Sequence, residues 1–79
     1  MRVFKAILSS GTRTEPWIII IRKNYRRRGW SIRGIRIGDG LETDTYDVPD
    51  SEIFSAIKTW ADHRPGNYSV LTYGELKLT

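Results

Sequence analysis

Cysteine is absent from these 79 residues. Its absence removes disulfide bridges, a thiol nucleophile and every thiolate metal site. Secreted chains this short usually carry disulfides, so an intracellular setting is expected: the cytoplasm of a cell or of an infected host cell. Glutamine is also missing, histidine and methionine occur once each, and arginine outnumbers lysine. So few thermolabile side chains would suit a hot habitat. One histidine, His63, and scattered acids form no ligand set of known spacing, so no metal and no cofactor are expected.

Long apolar runs are lacking too. The longest, Trp17–Ile21, holds five residues, where a membrane span needs about 20. The apolar start of the chain is broken by Lys5 and is no signal peptide. No membrane association is expected. Gly34, Gly38 and Gly40 follow no phosphate-loop pattern. Asp62 and His63 are neighbours on a predicted helix, where successive side chains diverge by about 100°. His63 is expected to serve the end of that helix, and the chain is expected not to be an enzyme. Glu42, Asp44 and Asp47 are the nearest approach to an oxygen-ligand site for Mg²⁺, but they read better as the polar dressing of an edge strand.

What is present in excess is positive charge, unevenly spread. Residues 1–37 carry ten basic groups against Glu15 alone, a net +9; residues 38–79 carry three against eight acids, a net −5. That asymmetry points to a polyanionic partner, unless the halves neutralise each other within the fold or across a dimer.

The hydrophobic pattern predicts one domain, residues 1–79, of α+β class. A small antiparallel sheet of four to five strands, in the order ββββαβ, carries one helix over about residues 50–64 on one face. Val3–Leu8 reads as the first strand, and Ser9–Pro16 as turn chemistry. Trp17 to Tyr25 is a second strand. Its four consecutive isoleucines predict a central strand covered on both faces. Tyr25–Trp30 is a hairpin connection with Gly29 at positive φ. In the third strand, Trp30–Ile37, the apolar positions change parity across Arg33–Gly34, which predicts a bulge there. Leu41–Val48 is a polar fourth strand near an edge.

The helix should be capped by Asp50 or Ser51, with Glu52 in its first turn. Its apolar stripe is Ile53, Phe54, Ile57, Trp60 and Ala61, and Pro65–Gly66 stops it. Asn67–Thr79 is a last strand. If Val70, Thr72, Leu76 and Leu78 face the core, Leu71 and Tyr73 point away from it and can seed a protein or dimer contact. A two-fold dimer joining edge strands suits so small a sheet.

The basic hairpin is the strongest candidate site. Arg26, Arg27 and Arg28 are expected to contact phosphate, with Arg22, Lys23, Arg33 and Arg36 as flanking charge and Tyr25 and Trp30 as stacking faces. Guanidinium groups meet phosphates through paired donors, and aromatic faces stack on bases. The segment Arg28–Ile35 is similar in part to the RNP1 pattern of RRM domains. However, Ile32 and Ile35 stand where that pattern has aromatics, and no helix follows the first strand, so no family is assigned.

The expected function is therefore electrostatic binding of DNA or RNA with little sequence preference. The alternative is a protein-interaction module, an accessory or inhibitor protein of the type viruses and mobile elements encode, docking on a larger protein, with nucleic-acid-handling proteins among the candidates.

Overall fold

A computed structural model of the chain describes residues 1–26 and 28–77. Arg27, Leu78 and Thr79, and what was expected of them, lie outside the described residues. The strands are β1 (Arg2–Ser10), β2 (Arg13–Lys23), β3 (Trp30–Arg36), β4 (Tyr46–Val48) and β5 (Ser69–Glu75), with helix α1 (Ile53–Asp62) between β4 and β5. They form one antiparallel sheet in the order β4-β3-β2-β1-β5. This is the α+β arrangement expected, with β2 at the centre and β4 and β5 at the edges.

The helix covers one face. Phe4, Ala6 and Leu8 of β1, Trp17, Ile19 and Ile21 of β2, Ile32 of β3 and Val48 of β4 are buried against Ala56, Ile57, Trp60 and Ala61. The Trp17 and Trp60 rings meet edge to face at 5.8 Å, a geometry that the ring quadrupoles favour. Among the described residues no element covers the opposite face, so the isoleucine run of β2 is not enclosed on both sides as expected. Ile18 and Ile20 are only half-buried there, flanked by β1 and β3.

Three local expectations give way to tertiary context. The first hairpin is tighter than Ser9–Pro16 suggests. Ser10 opposes Arg13, so Gly11–Thr12 alone make the turn, with Gly11 at φ 61°. Pro16 therefore lies inside β2, opposite Ile7. Its carbonyl accepts from Ile37, one residue past the end of β3, at 3.0 Å. The missing N–H faces that same fraying end, so a single ladder bond is forgone.

Against β2 the register of β3 runs unbroken from Arg36 to Trp30; on its other side it shifts by one residue, from Ile32 opposite Tyr46 to Ile35 opposite Glu42, so the extra residue next to Arg33–Gly34 lies in the partner segment and not in β3. Trp30, Ile32, Gly34 and Arg36 share the helix side, while Ile35 belongs to the open face. The parity change marks two half-apolar faces. Glycine stands at position 34 because the inward space is already taken: a Cβ there would lie 2.5 and 2.6 Å from the Trp60 ring and 3.0 Å from Trp17.

A register shift also sits between β1 and β5, at Ile7/Leu8. It absorbs one residue of β5, so Val70 pairs with Leu8 and Tyr73 with Ala6, both on the helix side. Tyr73 therefore does not point away from the core layer as expected. Its ring stacks on Phe54 at 4.7 Å and lies 6.1 Å from Phe4.

The helix is shorter than expected and starts differently. Glu52 occupies the N-cap position without a side-chain cap. Asp50 instead accepts from the Thr59 hydroxyl at 2.7 Å, and the Ser51 carbonyl accepts from the Trp30 indole at 3.2 Å. Both bonds clamp the segment between β4 and α1 to the body of the fold. At the other end His63 donates its backbone N–H, and its ring Nδ1 bonds, to the Thr59 carbonyl. Arg64 leaves the helix end and lies over Trp17, 6.0 Å from the ring centroid.

Candidate polyanion-binding face

The second hairpin is closed by backbone and side chain together. Asn24 N–H donates to the Gly29 carbonyl at 3.2 Å, and Asn24 Oδ1 accepts from Arg26 N–H at 3.1 Å, an Asx-type turn. Gly29 has φ 119°, as the hairpin reading required, and is buried against the Val48–Pro49 backbone. The tip is thus anchored on one side and open on the other. Tyr25 is 92% exposed, and Arg26 and Arg28 are exposed beside it.

The cations expected to flank the tip divide between the two faces of the sheet. Arg22 and Arg33 lie on the open face at diagonal positions, since Arg22 pairs with Ser31 and Arg33 with Ile20. They line one shallow pocket of about 170 Å³ with Met1, Ile20, Ser31 and Thr45. Lys5 is on the same face, opposite Ile18. Lys23 is on the helix side, its ammonium 4.9 Å from the Trp30 ring centroid. Trp30 packs against the core and spends its N–H on Ser51. Its ring is half-buried and tied into the fold.

Arg36 is also withdrawn from the expected site. It donates twice to Asp39, at 2.9 and 2.6 Å, lies 3.7 Å from Glu15, and sits over Trp17 at 5.9 Å. The Asp39 carboxylate raises the Arg36 guanidinium pKa, and Arg36, followed by the Leu41 N–H, holds Asp39 well below the usual carboxylate range. Arg2 lowers Glu75 in the same way through a second paired contact. A depressed carboxylate stabilises the fold above its unfolded-state pKa, and that contribution is lost as pH falls toward the folded-state value. The melting temperature is therefore expected to drop below about pH 4. Asp39→Asn should lower it at neutral pH and shrink the acid decline, as a pH series of thermal melts will read.

Glu15 is the residue whose role the sequence reading missed. Only 8% exposed, it accepts from the Trp17 indole at 3.3 Å and the Tyr68 hydroxyl at 3.1 Å, and it pairs with Arg13 at 3.1 Å. A buried carboxylate needs such partners. Its being the sole acid among ten cations of the first half was the available signal. Glu42, Asp44 and Asp47 do not converge: among the described residues no three acidic or histidine side chains could hold a metal ion. Asp47 instead accepts from Ser31 at 2.6 Å.

Three of the ten cations of the first half are neutralised internally, Arg2 by Glu75, Arg13 by Glu15, and Arg36 by Asp39 and Glu15. Lys5, Arg22, Lys23, Arg26, Arg28 and Arg33 have no ion pair among the described residues. Between these groups the open face is aliphatic: Val3, Ile7, Pro16, Ile18, Ile20 and Ile35 are half-buried and Ile37 is exposed.

Compared with protein-family models, with curated proteins and with solved structures, the chain matches none. Among the described residues no helix is long and apolar enough to cross a membrane.

Proposed function

We propose that this chain is a non-catalytic binding protein whose ligand is a nucleic acid, held on the tip of the second hairpin and the adjoining end of the open sheet face. One observation carries the reading: four exposed arginines, Arg22, Arg26, Arg28 and Arg33, lie around that end without an ion pair among the described residues, next to a tyrosine almost wholly in solvent. Cations paired inside a fold do nothing for a polyanion; unpaired ones release counterions from it. Tyr25 is the remaining stacking face, worth about 1–3 kcal/mol per base. Arg27 joins this set by sequence alone.

Titrating labelled single-stranded and duplex DNA and RNA with the protein at several salt concentrations tests the reading. With four phosphate contacts, log K against log salt should have a slope of about −3 to −4. Replacing Arg26 and Arg28 by glutamate should weaken every sequence alike, by about tenfold or more, without changing the melting temperature. Tyr25→Ala should cost single strands more than duplexes. Absence of binding at low salt would end the proposal, and selective loss of some sequences would mean base readout rather than charge.

A second reading rests on a separate observation. The aliphatic centre of the open face, rimmed by Lys5, Arg22 and Arg33, has the anatomy of a protein interface with an acidic partner. Ile18→Glu, at the centre of that patch, separates the two readings. It should abolish capture of a protein partner while leaving binding at the hairpin tip intact.

A further inference from the structure

Ile20 lies opposite Arg33 and two residues before Arg22 on its own strand, so one half-buried isoleucine is flanked by both arginines. With Ser31 and Thr45 these residues line the pocket of about 170 Å³ on the open face. Cavities that take whole organic ligands hold about 300–1,000 Å³, so this one suits a single group of a larger molecule. Neither arginine has an ion pair among the described residues. The Ser31 hydroxyl donates to Asp47 at 2.6 Å, and Thr45 brings a second hydroxyl to the rim. Two unpaired guanidiniums beside a hydroxyl match a tetrahedral oxyanion, because their forked donors fit phosphate oxygens.

Charge and surroundings select the kind of phosphate. A backbone diester carries one negative charge, whereas a phosphate monoester carries about −1.5 to −2 at neutral pH. The monoester balances two guanidiniums; the diester leaves one over. On one side of the pocket is the basic tip, where the exposed Tyr25 is at most about 11 Å along the chain from Arg22, with Arg26 and Arg28 beside it. On the other side the face turns aliphatic at Ile18 and Ile35. The segment leading into β4 is acidic, with Glu42, Asp44 and Asp47. The next cation, Lys5, stands opposite Ile18, two strands away from Arg33. A strand held at the tip therefore meets its last pair of cations here.

We propose that the pocket between Arg22 and Arg33 holds the terminal phosphate of a nucleic-acid strand whose adjoining nucleotides lie along the hairpin tip. The inference rests on the nucleic-acid reading above and deepens it: the ligand is a phosphorylated strand end, with Tyr25 placed to stack on a base near that end.

Single strands of one sequence, ending in phosphate or hydroxyl at the 5′ end, and a second pair differing at the 3′ end, test it by titration at fixed salt. At one of the two ends the phosphorylated strand should bind about tenfold or more tightly than its hydroxyl twin. Arg33→Gln should erase that ratio without changing the melting temperature, and Lys5→Ala should leave the ratio intact. Inorganic phosphate at constant ionic strength should erode the ratio, and in the free protein it should shift the Ser31 and Arg33 amide resonances. Equal binding of the twins at both ends overturns the proposal and leaves the electrostatic reading standing. So does a ratio that survives Arg33→Gln or disappears in Lys5→Ala, because the phosphate then sits elsewhere. A phosphoserine peptide that competes as strongly as the phosphorylated strand would assign the pocket to a protein partner and overturn the strand end. If no strand of either kind binds at low salt, the nucleic-acid reading itself fails.

Discussion

Gly29→Ala is expected to cost about 3–5 kcal/mol, more than half the stability of a marginal domain of this size. Two separate penalties add. The residue sits at φ 119°, outside the range that L side chains adopt, and strain of that type costs about 1–3 kcal/mol. The added methyl would also lie 1.9 Å from the Val48 carbonyl oxygen and 2.8 Å from Pro49 Cα. These are backbone atoms of the link between β4 and α1, and that link is held by Asp50–Thr59 and by Trp30 on Ser51. It cannot step aside as a flexible side chain would. Gly11→Ala is the control. Gly11 also has positive φ, 61°, but nothing lies within 4 Å of its missing Cβ. It should lose about 1 kcal/mol, the cost of the left-handed conformation alone. Urea denaturation of the two variants reads the difference. Equal losses would mean that the close approach at Val48 is not there. Because Gly29 also closes the basic tip, the proposed nucleic-acid function implies that any folded Gly29→Ala protein binds DNA or RNA more weakly than its residual stability explains.

Trp60→Ala should be comparably damaging, about 3–5 kcal/mol. Trp60 is the helix's largest buried side chain, and its ring fills the space between Gly34 and Trp17. The informative experiment is a cycle with Gly34. In the wild type, Gly34→Ala drives a methyl into the Trp60 ring, and overpacking of that type costs about 1–3 kcal/mol. In a Trp60→Leu background the same methyl enters vacated space, so its cost should fall or change sign. A coupling of about 1 kcal/mol or more would establish that residue 34 is glycine because residue 60 is tryptophan. Additive losses would assign the glycine another cause.

The Gly34 and Trp60 pair also illustrates how far the sequence could be read. The periodicity of Trp30, Ile32, Ile35 and Ile37 was visible, and a bulge was the economical account of its change in parity. The true cause is a contact between residues 26 positions apart, which no local pattern contains. The expectation that Ile18–Ile21 is covered on both sides failed similarly. Four isoleucines require a central strand, and β2 is central. Whether a second layer exists depends on how many helices the chain can spare, and among the described residues there is one.

For the site, residue type was legible and orientation was not. Composition showed that the first half is a cation store, and the hairpin with its glycine and exposed tip followed from local turn chemistry. Composition could not distinguish Arg36, locked on Asp39 and Glu15, from Arg33 two residues away on the opposite face. Nor could it show that Trp30 spends its ring on Lys23 and the core while Tyr25 stays in solvent. Strand alternation sorts side chains to faces, but which face receives the helix is a tertiary decision. The chain by itself determined the α+β class, the edge position of β4, the helix stripe and the charge asymmetry, because each depends on periodicity or on local backbone preference. The tertiary structure alone decided which cations are paired, which aromatics are buried and where β5 slips its register, because each of these depends on side chains brought together from distant parts of the sequence.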